Sequence, residues 1–207
     1  MAITVEHGVF HVETANTLYQ MKADHFGVLN HLWYGAKTDN VLDYLLDYPD
    51  VGFYGNIYEA ENLRTYSLDT LPLEYAVGGV GDFRVPAVSV THENGSCALD
   101  LRYQEYHILK GKCQVPGLPA VYAGEEEAET LEIVLKDTAT DVKVILKYGV
   151  LEKEDIITRS VVVQNRGKTP VILNRVHSLC MDFPYGDWEW IHFHGRHTKE
   201  RQAERMP

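Results

Sequence analysis

The sequence predicts an all-β protein built as an antiparallel β-sandwich, and three observations support this prediction. Apolar residues recur at every second position over residues 142–150, strand-like segments follow one another closely, and turn-forming residues lie between them. No amphipathic helical pattern separates these segments. Alternation with a period of two gives a strand one buried face, and closely spaced strands without intervening helices favour packed antiparallel sheets.

The chain begins with a predicted β-hairpin. Residues 11–14 and 17–21 are strand-like and flank Ala15-Asn16, a pair suited to a tight connection. The next strand is expected over residues 31–34 and ends at Gly35. The N-terminal part is therefore predicted to be strand, turn and strand.

Residues 41–63 differ from the segments around them. They are rich in Tyr, Asp and Gly and show no sustained period of two or 3.6. Residues 42–46 carry enough leucine for one helical turn, which Pro49 would end. The sequence predicts a long exposed loop over residues 47–62, and long loops in compact domains are often functional.

The second half of the chain gives the clearest strand signals. Residues 142–150 alternate apolar side chains with polar ones, and residues 157–163 form a second strand-like segment. Residues 165–168 are a predicted turn, in which Gly167 could adopt a positive φ at little energetic cost. Residues 171–176 are then predicted to complete a meander with the two preceding strands.

Composition limits the possible partners and compartment. The 207 residues carry 30 acidic and 19 basic side chains, a net charge of −11, which disfavours binding to nucleic acid or to anionic membranes. No apolar segment is long enough to cross a bilayer, and no secretion signal is visible. Cys97, Cys113 and Cys180 are odd in number and widely spaced, which favours free thiols and predicts a cytoplasmic location.

One histidine pair resembles part of a metal motif. Gly186 is followed after five residues by His192-Phe193-His194, as in the opening of the cupin motif. Two histidines at positions i and i+2 of a strand share a face. Glu200 comes later than the cupin spacing requires, and no further glycine follows it. We therefore predict ordinary strand histidines, with no metal and no cofactor; a cupin-like metalloprotein using His192 and His194 is the alternative.

Residue patterns alone do not identify a reaction. A glycosidase needs two carboxyl groups facing one another, but no such pair can be recognised from this sequence. Nucleophile-elbow motifs and glycine-rich phosphate loops are absent from it. The residues thus indicate an all-β domain with a Tyr- and Asp-rich loop.

Several blocks together resemble glycoside hydrolase family 36, the large bacterial and fungal α-galactosidases. The blocks that carry the resemblance are residues 65–75 (TYSLDTLPLEY), 81–87 (GDFRVPA), 100–103 (DLRY), 111–112 (GK), 117–120 (GLPA), 129–133 (ETLEI), 157–160 (ITRS) and 195–201 (GRHTKER). A single block would carry little weight. Eight blocks in order, over almost the whole chain, make the resemblance specific.

The resemblance implies a single N-terminal domain over residues 1–207, a β-supersandwich of the galactose mutarotase-like type that is incomplete here. In the family, a (β/α)8 barrel follows and holds the two aspartates of a retaining mechanism. The family's nucleophile motif, Lys-Trp-Asp-Met-Asn, does not occur in this sequence. We therefore expect no catalytic residue in this chain and no hydrolysis by this chain alone.

The resemblance also suggests substrate-binding residues. In similar tetrameric enzymes, a loop of the N-terminal domain reaches the active site of a neighbouring subunit, and its aspartate, aromatic and arginine correspond to Asp50, Phe53 and Arg64. The expected partners are an α-galactoside sugar, the catalytic barrel and further subunits of a tetramer. The alternative is a turn-capping Asp50 and a local ion pair for Arg64. Asp82 and Arg84 are expected to form a structural ion pair.

One further function remains open. A free-standing carbohydrate-binding β-sandwich would also suit the Tyr- and Asp-rich loop. The blocks that resemble the family lie in scaffold strands, however, and an unrelated lectin has no need of them. The α-galactosidase interpretation is therefore preferred.

Overall fold

The computed structural model describes residues 2–50, 57–183 and 186–207. Within these residues the chain forms twelve strands and two short 3-10 helices, at Asp43–Leu46 and Tyr58–Ala60. The strands are β1 (Ile3–Glu6), β2 (Val9–Glu13), β3 (Thr17–Ala23), β4 (Leu29–Ala36), β5 (Val88–His92), β6 (Leu101–Lys110), β7 (Glu129–Asp137), β8 (Val142–Leu151), β9 (Ile156–Asn165), β10 (Val171–Val176), β11 (Trp190–Arg196) and β12 (Lys199–Met206).

Two four-stranded antiparallel sheets form the body of the fold. One has the order β1-β2-β3-β4 and the other the order β6-β7-β8-β9, so consecutive strands are neighbours in both. Their inner faces share one core, in which Phe10 and Met21 of the first sheet and Ile133 and Leu146 of the second are fully buried. Burying a side chain of this size contributes about 1.5–3 kcal/mol. The predicted antiparallel β-sandwich is confirmed.

The predicted N-terminal hairpin is present as β2 and β3. The Thr14 amide donates to the Thr17 carbonyl at 2.9 Å across the Ala15-Asn16 connection. Asp155, from the turn between β8 and β9, accepts hydrogen bonds from the Thr14 hydroxyl and from the Asn16 amide. A side chain of the second sheet thus holds the hairpin turn of the first.

The alternating segment of the second half forms β8. Its residues from Val142 to Tyr148 are buried at every second position, and the intervening lysines are half-buried. Lys147 lies 2.6 Å from Glu132 on the neighbouring strand β7, a cross-strand pair on the outer face. The pattern therefore predicted both the strand and its buried face.

The predicted meander of β8, β9 and β10 is wrong in its last step. Residues 171–176 do form a strand, but β10 pairs antiparallel with β5, from Val171 opposite His92 to Val176 opposite Val88. Val88 and Val90 of β5 are buried in the shared core, so this pairing extends the sandwich. Period-two alternation specifies a strand and its faces, but it does not specify which strand lies beside it.

The described parts of residues 41–63, which are 41–50 and 57–63, are more structured than predicted. The helical turn expected near the start of this segment is the 3-10 helix Asp43–Leu46, which ends before Pro49. A second 3-10 helix, Tyr58–Ala60, lies within the predicted loop, and Ile57 and Ala60 join a second apolar cluster. This cluster, with Tyr66, Leu68 and other residues of 57–73, packs beside the main core.

The hairpin of β11 and β12 pairs with no other strand among the described residues. Its register runs from Trp190 opposite Met206 to Arg196 opposite Lys199, and none of its residues is buried. Within the described part of the chain, no helix has the length and apolar character needed to span a bilayer.

Candidate functional site

Asp50 and Arg64, two of the predicted substrate-binding residues, form an ion pair. The Nε atom of Arg64 lies 2.8 Å from Asp50 Oδ2, and its Nη2 donates to Asp50 Oδ1 at 3.2 Å. The side chains remain 66% and 46% exposed, so the pair is open to solvent. This contact uses one edge of the guanidinium, which carries five N–H donors in all. Phe53, the third predicted residue, lies outside the described residues.

A groove of about 710 Å³ lies beside this pair. Leu63 and Thr65, the neighbours of Arg64 in the chain, line it together with Tyr48 and Tyr66. Carboxylates and tyrosines predominate along its polar lining, which is suited to hydroxyl-rich ligands. Arg64 does not itself line the groove, but both of its neighbours in the chain do.

Tyr66 anchors the segment that carries Arg64. Its ring is buried, and its hydroxyl donates to Asp24 Oδ2 at 2.7 Å. Burial, followed by the nearby Asp24 charge, raises the pKa of the Tyr66 phenol well above its usual value, so the group stays a donor. This contact anchors the backbone two residues from Arg64, whose own side chain remains exposed.

Arg102 also contacts the segment that precedes Arg64 in the chain. Its guanidinium donates to Asp100 at 2.6 Å and to the Phe26 carbonyl at 3.0 Å, and it lies 3.7 Å from Glu59 in the second 3-10 helix. Arg102 is almost completely buried. It connects strand β6 to the loop that carries the candidate sugar-binding residues.

Asp82 and Arg84 form the ion pair predicted from the sequence. Arg84 Nε donates to Asp82 Oδ1 at 2.9 Å, and its other nitrogens donate to Asp182 at 3.1 Å and to the Leu68 carbonyl at 2.8 Å. Neighbouring carboxylates raise the pKa of Arg84 despite its burial, which keeps it charged. These contacts tie three separated segments together and support a structural role.

A buried polar cluster lies inside the sandwich, centred on Glu74. Its carboxylate is fully buried and accepts hydrogen bonds from Tyr19 at 2.8 Å and from Tyr148 at 2.7 Å. His31 Nδ1 lies 3.2 Å from Glu74 Oε2, and Arg159 Nη1 lies 3.1 Å from Oε1. Four different strands, β3, β4, β8 and β9, therefore meet at one carboxylate from the loop between β4 and β5.

Charge compensation explains how this carboxylate stays ionised. Burial raises its pKa, but Arg159, His31 and Tyr148 together outweigh burial and lower the pKa of Glu74 below its ordinary value. The Arg159 guanidinium also lies 3.8 Å above the centre of the Tyr148 ring. Its two Nη atoms make no hydrogen bond among the described residues, so the ion pair and the ring are their main compensation.

Sequence reasoning did not identify this cluster. Glu74 stands between apolar residues in a segment without strand periodicity. Its partners His31 and Tyr19 lie 43 and 55 positions earlier, and Tyr148 lies 74 positions later. No local signal marks such a meeting point. Its role is to join the two sheets and the loop into one body.

A second polar cluster lies on the β11–β12 hairpin. His192 Nε2 and His194 Nδ1 lie 3.5 Å and 3.4 Å from the same oxygen, Oε2 of Glu204. Of the described residues, these three form the one group of histidine, cysteine or carboxylate side chains close enough to hold a metal ion. Glu204 was missed from the sequence because only Glu200 was tested against the cupin spacing. Counting back across the turn at residues 197–198 would have placed Ala203 opposite His192, because the bulge between His194 and Arg196 shifts the register by one residue.

Comparison with known proteins identifies related sequences. Residues 27–207 match the family model of the glycosyl hydrolase family 36 N-terminal domain. The bifunctional alpha-galactosidase/sucrose kinase AgaSK of Mediterraneibacter gnavus is 47% identical over 199 residues, which are 96% of this chain and 21% of that protein. Alpha-galactosidase AgaA of Geobacillus stearothermophilus is 42% identical over 201 residues, which are 96% of this chain and 27% of that protein.

Solved structures resemble the chain just as closely. The galactosidase domain of AgaSK matches with a TM-score of 0.96 and 46% identity, over 100% of this chain and 29% of that one. A variant of AgaA from Geobacillus stearothermophilus, in complex with raffinose, matches with a TM-score of 0.89 and 41% identity, over 96% of this chain and 28% of that one. The chain spans less than a third of the length of each of these relatives.

Proposed function

Because the chain belongs to the N-terminal domain of glycosyl hydrolase family 36, we propose that it is part of an α-galactosidase acting on oligosaccharides of the raffinose and melibiose type. The observation that carries this proposal is the match of residues 27–207 to the family model, together with relatives named as alpha-galactosidases. The AgaA structure with raffinose supports the substrate class. The family resemblance identified from the sequence blocks is confirmed.

In this proposal the chemistry takes place outside residues 1–207, which we take as one N-terminal domain. Two aspartates of a (β/α)8 barrel carry out a retaining reaction. One attacks the anomeric carbon, while the other first protonates the leaving oxygen and then activates water. This chain supplies a rigid scaffold, a loop for the sugar site and surfaces for assembly, and it hydrolyses nothing by itself.

Asp50 and Arg64 are proposed to help shape the mouth of the sugar site in a neighbouring subunit. A carboxylate and a guanidinium held side by side can hydrogen-bond vicinal sugar hydroxyls, and an aromatic such as Phe53 can pack on the C–H face of the ring. The exposed ion pair supports this role, because the outer edge of the Arg64 guanidinium is not part of its contact with Asp50. The buried Tyr66 anchors the backbone two residues from Arg64.

Exposed apolar side chains support packing against further polypeptide. Ile172 and Leu173 of β10 are 64% and 49% exposed, and Ile191 and Phe193 of β11 are 51% and 67% exposed. Apolar surface of this kind often marks a contact surface. We propose that the barrel and the other subunits of a tetramer cover parts of it. The three free cysteines support a cytoplasmic location for the assembled enzyme.

The test of the sugar-site proposal is the substitution Arg64→Ala in the complete enzyme. We expect lower kcat/KM with raffinose, by about 10-fold or more, since losing a charged hydrogen-bond donor costs about 1.5–3 kcal/mol. The matched control is Arg166→Ala, which removes an exposed arginine from the turn between β9 and β10. Unchanged kinetics with raffinose for Arg64→Ala, in a folded enzyme, would remove this residue from the site.

A further inference from the structure

We propose that the β11–β12 hairpin is a binding site for a divalent transition-metal ion such as Zn²⁺, held by His192, His194 and Glu204. This site replaces the expectation of ordinary strand histidines, which was drawn without Glu204, and it does not depend on the galactoside chemistry proposed above. It follows from the antiparallel register, from the separations of the three side chains, and from the ligand types themselves.

The register places all three side chains on one face of the hairpin. His192 and His194 are two positions apart on β11 and therefore point to the same side. Glu204 is the cross-strand partner of His192, and directly opposed residues of an antiparallel pair share a face. The ligands thus come from both strands, and a bound ion would bridge them.

The two separations that involve Glu204 match those of ligands around one metal ion. Nitrogen and oxygen ligands lie about 2.1 Å from zinc, and two ligands of a tetrahedral ion are then about 3.4 Å apart. Glu204 Oε2 lies 3.5 Å from His192 Nε2 and 3.4 Å from His194 Nδ1. All three ligand atoms lie within 4.8 Å of one another. Little side-chain movement is needed to bring them onto a single ion.

The same distances are poor for direct hydrogen bonds. An N–H···O bond is usually about 2.9–3.0 Å long, and its strength is reduced at 3.4–3.5 Å. Glu204 therefore gains little from either histidine without an ion, while Zn²⁺ would be coordinated by two neutral imidazoles and one carboxylate, a common ligand set. Gln202, opposite His194 in the register, or water would complete the coordination.

In the 207-residue chain by itself, where the apolar side chains of β11 are exposed, such an ion would also stabilise the hairpin. None of its residues is buried, and it pairs with no other strand of the described chain. An isolated two-stranded hairpin is at best marginally stable in water. If the ion binds only the paired hairpin, the ratio of paired to open hairpin rises as the metal concentration rises.

The test is isothermal titration of the 207-residue chain with ZnCl2 after treatment with a chelator. We expect one Zn²⁺ per chain, and an affinity that falls at least about 10-fold in each of His192→Ala, His194→Ala and Glu204→Gln, because losing even an outer partner of a ligand costs about 10–100-fold. His197→Ala is the matched control, since it removes a histidine from the turn of the same hairpin.

Two further measurements make the outcome decisive. Co²⁺ binding should give the visible absorption of a four-coordinate nitrogen and oxygen site in the wild type and in His197→Ala, but not in the three ligand variants. Circular dichroism checks that each variant is folded, which is expected because all three positions are outside the core. Absence of binding by the folded wild type, or equal affinities for the ligand variants and the control, would overturn the proposal.

Discussion

The substitution Glu74→Gln tests whether the buried cluster holds the two sheets together. Glutamine keeps the shape of the side chain but removes the charge opposite Arg159, whose guanidinium is almost completely buried. Breaking a buried ion pair by removing one partner costs about 3–5 kcal/mol, because the other charge is left without compensation. Domains of this kind have a total stability of about 5–15 kcal/mol, so the loss should be a large share.

Urea unfolding followed by circular dichroism measures this loss. With a slope of about 2 kcal/mol per molar urea, a loss of 3–5 kcal/mol lowers the unfolding midpoint by about 1.5–2.5 M. The control is Glu93→Gln, the same chemical change at an exposed residue, which should shift stability by less than about 0.5 kcal/mol. The double variant Glu74→Gln with Arg159→Met should recover part of the loss, because it removes both charges.

Two results would contradict this reasoning. A loss below about 1 kcal/mol for Glu74→Gln would mean that the carboxylate charge does not compensate Arg159. Strict additivity in the double variant would mean that the two side chains are not coupled, although they lie 3.1 Å apart. Either result would leave apolar packing as the main connection between the sheets.

Two other predictions concern the pH dependence of folding stability and the binding of galactose. The pKa of Glu74 is lowered in the folded chain from its ordinary value of 4.5, so the unfolded state binds a proton more readily. The stability contributed by Glu74 should be complete above about pH 4.5 and should be lost as the pH falls through the lower folded-state pKa. Urea unfolding midpoints measured across this pH range should therefore fall more steeply for the wild type than for Glu74→Gln. Calorimetric titration of the 207-residue chain with galactose should give weak binding or none, because the proposed site needs the barrel; tight stoichiometric binding would instead support a free-standing carbohydrate-binding module.

The sequence predicted strands better than their partners. Strand β8 could be predicted because its buried and half-buried positions alternate, and the β2–β3 hairpin because its connection is short. Strand β10 was placed beside β9 for lack of any signal, whereas it pairs with β5, some 80 residues earlier. Periodicity reports which side of a strand is buried, and it contains no information about distant neighbours.

The candidate sites likewise divide into residues that the sequence identified and residues that only the folded structure brings together. Arg64 was identified through a family resemblance, and the structure adds its ion pair with Asp50 and its place beside a groove. Glu204 could not be found by counting from the turn, because a bulge between His194 and Arg196 moves it opposite His192. Glu74 could not be found at all, because its four partners meet only after both sheets have formed.

The meeting of four strands at one carboxylate also constrains how this domain can diverge. A change at Tyr148 or Arg159 alone leaves a buried polar atom or charge without compensation, whereas a joint change to apolar residues of similar volume need not. Among distant relatives, these positions should therefore vary together or not at all. Such correlated replacement would trace the contact between the sheets in sequences whose structures have never been determined.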